Sequence, residues 1–238
     1  MLADRLIAMG GKLPPWPNSG QFNGSTSYMS GSISIAASKQ VTIAMCYDPN
    51  GDGTEQGMFS GIGTSSSTQD YYLNHRGYNE VIFKNAAGTI IFQGQGGNSA
   101  AGFNTFLMSI DLSNAAKRHI YLNDSTANVA FYTYTNDTIT NVTSMVIGCQ
   151  AVGTRYYNGT IAMLYIAPTY IDLSVQATRD IFFNASKVPL DLTVPISKGQ
   201  IPTPAVCLPF QKAWGYGLNK GVGGTFTPYY VTDGANVA

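Results

Sequence analysis

The sequence predicts an all-β protein, an antiparallel two-sheet sandwich of the jelly-roll type. Short runs rich in β-branched and aromatic residues recur through most of the chain, and clusters of Gly, Asn, Asp and Ser separate them. These turn signals come about every 8–12 residues, which is the spacing typical of sandwiches and jelly rolls. Hydrophobic residues make up 44% of the 238 residues, and that fraction is enough to build a large core.

The central part of the chain predicts strands and hairpins in a definite order. Val41–Tyr47 alternates large and small side chains, as a strand covered on both faces does. Asn85–Gly88 separates two strand-like runs, so it predicts a hairpin with a four-residue turn. The turn residues at 124–125 predict a second hairpin, between His119–Asn123 and Asn128–Tyr134. The remaining strands of this region are predicted at Glu80–Lys84, Thr89–Gln93, Thr105–Asp111, Ser144–Gly148 and Gly159–Ala167.

Two segments interrupt the strand pattern and predict short helices. Met1–Met9 predicts an N-terminal helix, which the following pair of glycines ends. A second helix is predicted near residues 175–184, with Ser174 as its N-cap. In that stretch Val175, Thr178, Ile181 and Phe182 fall on one helical face.

The C-terminal part of the chain predicts a strap followed by two returning strands. Four prolines within residues 186–204 favour an extended segment across the surface. Ala205–Phe210 and Thr225–Val231 then have strand-like composition again. We therefore expect an attachment segment over residues 1–19 and a single domain over 20–238. Its core would be 20–186, with the strap and returning strands over 187–238.

The order of these motifs resembles that of laminin-G-like, concanavalin A-like jelly rolls. Phe22–Tyr28 is similar to the opening strand of such domains, and Gln40–Tyr47 to the strand that follows. Thr105–Asp111 with His119–Asn123 resembles their central hairpin, and Tyr157–Tyr165 resembles a late strand. The resemblance covers residues 20–186 and implies the same fold.

The tail carries a narrower resemblance, to phage and prophage virion proteins with this domain. Its motifs are Val188–Leu192, Ala205–Phe210 and Asn219–Thr227. This resemblance implies a non-enzymatic virion part, such as a capsid decoration, spike or fibre component, made in the host cytoplasm. Its partners would be other virion proteins and further copies of itself in a homo-oligomer. Two alternatives stay open: a carbohydrate-binding module for host surface glycans, and a glycan hydrolase of the glucanase branch.

Charge and hydropathy limit the partners. The 13 basic and 13 acidic residues give a formal net charge of zero, so binding nucleic acid by charge is excluded. The apolar N-terminal run contains Asp4 and Arg5, and we expect neither a signal peptide nor a membrane span. Assembly contacts are instead predicted for its apolar side chains: Leu2, Leu6, Ile7 and Met9.

Catalytic motifs are sparse, so no catalytic residue and no cofactor is expected. Glucanases of the resembled fold place their carboxylates on an E-x-D-x-x-E strand. This chain has two glutamates, Glu55 and Glu80, and neither has a partner acid at that spacing. The cysteines Cys46, Cys149 and Cys207 are odd in number and sit among apolar residues, which favours buried thiols over disulfides or zinc.

A calcium site is one hypothesis for the residues after the first long strand. Asp48, Asn50 and Asp52 supply oxygens at alternate positions, as a calcium loop does. The twelfth position is Phe59, where an EF-hand needs a glutamate, so the motif fails as an EF-hand. A polar turn is the favoured interpretation.

Two aromatic and polar stretches predict a surface that contacts a glycan or a protein. Tyrosines can stack on sugar rings while Arg and His bind hydroxyls. Because alternate residues of a strand point inward, we expect about half of the set to lie in the core. The candidate residues are Tyr71, Tyr72, His75, Arg76 and Tyr78 in one stretch and Arg155, Tyr156 and Tyr157 in the other.

Overall fold

A computed structural model of the protein describes residues 19–50, 54–63, 69–151, 153–210 and 216–234. Within them the regular secondary structure is β-strand apart from two short helices. The strands are β1 (Gly20–Asn23), β2 (Tyr28–Ile35), β3 (Gln40–Pro49), β4 (Gln56–Gly63), β5 (Tyr71–His75), β6 (Tyr78–Lys84), β7 (Ile90–Asn98), β8 (Asn104–Asp111), β9 (Arg118–Leu122), β10 (Ala130–Tyr134), β11 (Val142–Ile147), β12 (Asn158–Ala167), β13 (Val206–Leu208), β14 (Thr227–Tyr229) and β15 (Thr232–Asp233); the helices are α1 (Gln176–Arg179) and α2 (Thr193–Ser197).

The strands form two antiparallel sheets packed face to face, so the predicted two-sheet jelly-roll sandwich is confirmed. The first sheet has the order β15-β1-β12-β3-β8-β9, and β13 also pairs with β12. The second sheet has the order β10-β7-β6-β5-β4-β11-β2-β14. Strand side chains alternate between the faces, so one set from each sheet meets in the main core. Phe22, Phe59, Phe92 and Phe106 are among its fully buried members.

One predicted hairpin is confirmed and the other is wrong. β6 pairs with β7 around Asn85, whose Oδ1 accepts N–H groups from Ala87 at 3.1 Å and Thr89 at 2.9 Å. β9 and β10 lie in different sheets, because β10 pairs with β7. A tight turn does follow Leu122, but the chain then crosses the edge of the sandwich. The same turn residues serve a hairpin and a corner, so local sequence did not distinguish them.

The helices differ from the sequence prediction in extent and number. α1 is one turn long and begins after Val175, which occupies the N-cap position. Ser174 is not the cap, because its hydroxyl donates to Asp172 Oδ1 at 2.6 Å. The strap was expected to be extended, yet it contains α2. Pro195 is tolerated there because the first turn of a helix has no use for its N–H groups. The predicted N-terminal helix lies outside the described residues.

Residues 168–204, here called the covering segment, close the outer face of the first sheet. Their apolar side chains form a second core with the outward residues of that sheet, which are mostly small. Phe182 is fully buried there, with its ring 5.3 Å from that of Tyr165. Hydrogen bonds fix the segment to the sheet: Thr42 Oγ1 donates to Thr169 O at 2.7 Å, and the Tyr165 hydroxyl donates to Pro202 O at 2.8 Å.

The tail beyond the covering segment is built into both sheets. β13 pairs with β12 in the first sheet, and β14 pairs with β2 in the second. Asn219 holds the intervening loop to the β13 segment: its Oδ1 accepts the Cys207 N–H at 2.7 Å, and its Nδ2 donates to Ala205 O at 2.8 Å. Gly223 joins the two sheets, since its N–H donates to Ala205 O at 2.9 Å and its carbonyl accepts the Ser34 N–H at 3.0 Å. Gly224 has φ +111°, and a Cβ there would lie 2.5 Å from Ser32 O. The motif 219–227 therefore has a structural role in joining the sheets.

Each helix in the described part of the chain is far too short to cross a lipid bilayer.

Candidate functional site

The strand register brings several candidate residues to one end of the second sheet. Tyr229 lies opposite Tyr28 at the start of β2, and Gln56 lies opposite His75 at the end of β5. β11 runs between β2 and β4 and ends at the same place. We call the partly exposed residues of this end the sheet-end surface; they are Tyr28, Glu55, Tyr72, Arg76, Tyr78, Arg155, Tyr156 and Tyr229.

An ion cluster forms the centre of the sheet-end surface. Glu55 Oε2 accepts from Arg76 Nη2 at 2.5 Å, and Glu55 Oε1 accepts from Arg155 Nη1 at 2.5 Å. Asn74 Nδ2 also donates to Glu55 Oε1, at 2.8 Å. The glutamate side chain is 15% exposed, whereas the two arginine side chains are 49% and 47% exposed. One carboxylate thus holds two guanidinium groups at the surface, with one positive charge in excess.

The hydrogen bond from Arg76 to Glu55, together with the charge of the carboxylate, raises the pKa of Arg76. Arg155 Nη1 also donates to Gln150 Oε1 at 2.5 Å. These contacts give the guanidinium groups fixed orientations. Donors held in place lose less conformational entropy when a ligand binds.

A stack of tyrosines flanks the ion cluster. The rings of Tyr28 and Tyr229 are parallel within 16° and lie 4.6 Å apart between centroids. The Tyr156 ring lies 6.4 Å from that of Tyr28, tilted by 51°, and Tyr156 directly follows Arg155 of the ion cluster in the chain. Tyr229 is 39% exposed. The surface therefore combines an accessible aromatic edge with charged hydrogen-bonding groups.

Tyr72 lies at the inner side of the cluster and is half-buried. Burial, together with the charges of Glu80 and Glu55, raises the pKa of Tyr72 to about 12, although Arg155 acts in the opposite direction. The phenol is therefore protonated at neutral pH and serves as a hydrogen-bond donor. Glu80 Oε1 accepts from Gln93 Nε2 at 2.8 Å.

Three of the predicted candidates lie in the interior. Tyr71 packs in the main core with its ring 4.4 Å from Phe83. His75 is 2% exposed, and its Nε2 lies 3.2 Å from Ser99 Oγ. Tyr157 is fully buried, and its hydroxyl has no hydrogen-bond partner among the residues that the structure describes. These side chains support the surface from within, as the alternation of strand side chains predicts.

Sequence reasoning missed Glu55, Tyr28 and Tyr229 as site residues. Glu55 was considered only as a catalytic acid, and its two arginine partners are 21 and 100 residues away in the chain. Tyr28 stood in the opening motif and Tyr229 in a returning strand, where each was assigned only to the fold. The adjacent tyrosines at 229–230 were the available signal, because exposed aromatic pairs are uncommon in an edge strand.

The residues of the calcium hypothesis do not assemble a site within the described residues. Asp48 belongs to β3 opposite Thr160, and burial raises the pKa of its carboxyl. The Asn50 N–H donates to Asn158 O at 3.0 Å. Asp52 lies outside the described residues, as do the predicted assembly contacts Leu2, Leu6, Ile7 and Met9. No cluster of three His, Cys, Asp or Glu side chains occurs in the described ranges.

No protein-family model matches the chain, and no curated protein matches its sequence. Solved structures do match its fold. A Bacteroides ovatus protein whose proposed role is carbohydrate binding aligns over 96% of this chain with a TM-score of 0.59 and 13% identity. This chain spans 63% of that protein. A heptameric pentraxin from Limulus polyphemus aligns over 67% of this chain and 80% of its own, with a TM-score of 0.52 and 13% identity.

At sequence identities this low, the structural similarity shows only that the folds are alike. Both neighbours share the two-sheet jelly roll, and the alignment with the Bacteroides protein extends over nearly the whole chain. The protein thus has the laminin-G-like, concanavalin A-like jelly-roll fold that the order of its sequence motifs predicted.

Proposed function

We propose that the protein is a non-catalytic carbohydrate-binding domain that holds glycans on the sheet-end surface. The observation that carries this proposal is that the tyrosine stack and the Glu55–Arg76–Arg155 ion cluster occur on the same surface, where the consecutive residues Arg155 and Tyr156 belong one to each. A sugar ring presents an apolar C–H face that can cover a tyrosine ring, while its hydroxyls bind guanidinium and carboxylate groups. Both kinds of group lie side by side here.

The carboxylates favour binding over hydrolysis. Most glycoside hydrolases need two carboxyl groups that flank the scissile bond. Glu55 accepts hydrogen bonds from two guanidinium groups and one amide, so it is committed to holding the surface together. Glu80 accepts from Gln93 on the neighbouring strand. The fold of the Bacteroides neighbour, whose proposed role is carbohydrate binding, supports the same class.

A glycan array with the full chain tests this proposal, and it should carry both neutral and acidic glycans. We expect binding that Arg155→Ala and Tyr229→Ala each weaken about tenfold, since each removes a charged hydrogen bond or a stacking ring. Tyr132→Ala is the matched control, because Tyr132 is 59% exposed on β10 at the opposite edge of the same sheet. The proposal would be contradicted if no glycan on the array bound, if Tyr132→Ala weakened binding as much as the two site variants did, or if the protein released cleaved sugar.

A virion role for such a domain is a second proposal, and it depends on the tail resemblance. The domain would be displayed on a capsid or tail as a decoration, spike or fibre component, in contact with other virion proteins and further copies of itself. The structural use of residues 219–227 weakens this argument, because joining the sheets already explains the motif. Neighbouring genes for capsid or tail proteins would support the role, and co-purification with particles would test it.

A further inference from the structure

A cavity of about 450 Å³ lies on the side of the molecule away from the second sheet. It opens between the first sheet and the covering segment, and we call it the flank cavity. Its volume falls within the range of about 300–1,000 Å³ that is common for small-molecule sites. Its lining includes Leu107, Asp124, Asp180, Phe183, Asn184 and Lys187.

The floor of the flank cavity is apolar. Leu107 comes from β8 and is 4% exposed, and Phe183 comes from the covering segment and is 7% exposed. Both belong to the second core, so their positions are fixed by packing. A floor of this kind offers a water-excluding contact to the apolar face of a ligand.

The walls of the cavity carry charges that cancel. Asp124 and Asp180 provide two carboxylates, and Arg179 and Lys187 provide two cations. Arg179 is engaged within the protein: its Nε donates to Asp124 Oδ1 at 2.5 Å, and its guanidinium lies 4.3 Å from the centroid of the Tyr121 ring. A balanced wall gives no net attraction to an anion or to a cation.

Several polar atoms on these walls have no hydrogen-bond partner within the described structure. Lys187 Nζ and Asn184 Nδ2 have no hydrogen-bond acceptor there, although Asn184 Oδ1 accepts the Ser186 and Val188 N–H groups at 2.9 and 3.0 Å. Asp124 and Asp180 each use one carboxylate oxygen, Asp180 by accepting from Gln176 Nε2 at 2.8 Å. The cavity thus presents free donors and free acceptors together.

The backbone at the rim adopts uncommon conformations. Asn123, Asp124 and Lys187 have φ values of +53°, +62° and +64°, and all three line the cavity. Non-glycine residues in this left-handed region concentrate at functional sites. Asn123 is held there by its side chain, whose Oδ1 accepts the Thr105 N–H at 3.0 Å.

We propose that the flank cavity binds one neutral sugar unit, which would give the domain a second glycan site on the opposite side from the sheet-end surface. Mixed donors and acceptors suit hydroxyl groups, the apolar floor suits a ring face, and the cancelling charges disfavour ionic ligands. The inference is independent of the sheet-end surface, because the two sites share no residue.

Nuclear magnetic resonance titration of the full chain tests this inference. The probes are the methyl glycosides of galactose, glucose and mannose, and N-acetylglucosamine. We expect at least one of them to shift the amide signals of Asp124, Asn184 and Lys187. Asn184→Asp removes the free donor but keeps the Oδ1 contacts, and Lys187→Asn removes the ammonium but tolerates positive φ. Each should weaken that response about tenfold.

The matched control is Lys198→Asn, because Lys198 lies in the same segment outside the cavity and should leave the response unchanged. Arg155→Ala should also leave it unchanged, which separates this site from the sheet-end surface. Absence of a response to all four probes, a response to inorganic phosphate instead, or equal responses in the cavity variants and the wild type would overturn the inference.

Discussion

The two outer faces of the sandwich differ in their exposure to solvent. The first sheet is buried on its outside by the covering segment, whereas the second sheet turns polar side chains outward. β3 shows the first case: Ile43 and Met45 enter the main core while Ala44 and Cys46 enter the second core. A strand that alternates large and small side chains is thus buried on both faces, as the pattern of Val41–Tyr47 predicted.

β7 shows the second case. Its inward residues Phe92 and Gly94 are buried, and the intervening Gln93 and Gln95 are partly exposed and bind neighbouring polar side chains. Alternation between apolar and polar residues therefore marks a face left open. The comparison teaches that one outer face of the sandwich adds a second core, whereas the other leaves polar side chains accessible.

Removing the tail should break this arrangement most severely. A chain truncated after residue 186 loses Val206, Leu208, Phe210 and Phe226 from the main core, together with the strands that pair with β12 and β2. We expect insoluble protein, because apolar surface and unpaired strand edges become exposed. Expression yield and thermal melting measure the effect. A soluble fragment with a cooperative melting transition would contradict it.

A single substitution under the covering segment should be costly, and its counterpart on the open face should not. Phe182→Ala creates a cavity in the second core, so we expect a loss of about 3–5 kcal/mol in the free energy of unfolding. Tyr132→Ala on the open sheet should change it by less than about 0.5 kcal/mol. Urea unfolding measures both values. Similar losses in the two variants would remove the distinction between the faces.

Acid should destabilise the protein through its two histidines. Burial lowers the pKa of His75, and also that of His119, below the ordinary 6.5. Below pH 6.5 the two imidazoles therefore bind protons in the unfolded chain, while in the folded chain they stay neutral until their lower pKa values are reached. The stabilising contribution is complete above pH 6.5 and falls by about 1.4 kcal/mol per pH unit and per group, until the folded-state pKa is reached.

The two histidines should differ in their share of this effect. His119 Nε2 lies 3.8 Å from Asp172, whose charge opposes the shift, whereas His75 is 2% exposed and lies in the interior. His75→Gln should therefore flatten the dependence of urea midpoints on pH more than His119→Gln does. If His119→Gln has the larger effect, the interior position of His75 is not what controls the acid response.

The smallest effect is expected from calcium removal. Burial raises the pKa of Asp48, and this disfavours the charged carboxylate that calcium needs. A chelator should leave the melting temperature unchanged, in the wild type and in Asp52→Asn alike. A lower melting temperature in chelator that Asp52→Asn abolishes would instead support a calcium site.

The fold could be predicted from the sequence because each local pattern agreed with it. The β6–β7 pairing followed from the turn residues between two strand-like runs, and the β8–β9 pairing followed from the resemblance to the central hairpin of laminin-G-like domains. The position of β10 did not, because a turn does not specify whether the next strand stays in the same sheet. α2 was missed because proline was taken to exclude a helix, although the first turn accepts it.

Only part of the candidate site could be predicted from the sequence. Two aromatic and basic stretches were identified, and strand alternation explained why Tyr71 and Tyr157 are buried. The carboxylate that joins Arg76 to Arg155 could not be found, since it depends on pairings between strands far apart in the chain. Long-range register, and not composition, makes that cluster.

The reactivity of the three buried thiols can measure how often the regions around them open. Burial raises the pKa of Cys149 to about 12 and of Cys207 to about 11, and it also raises the pKa of Cys46, so thiolate is scarce in the closed protein. A thiol reagent then modifies each cysteine only when its surroundings open. Cys46 and Cys207 lie beneath the covering segment, and the buried Cys149 interacts electrostatically with Tyr28 of the sheet-end surface. Their separate labelling rates would report how often each side of the molecule loosens.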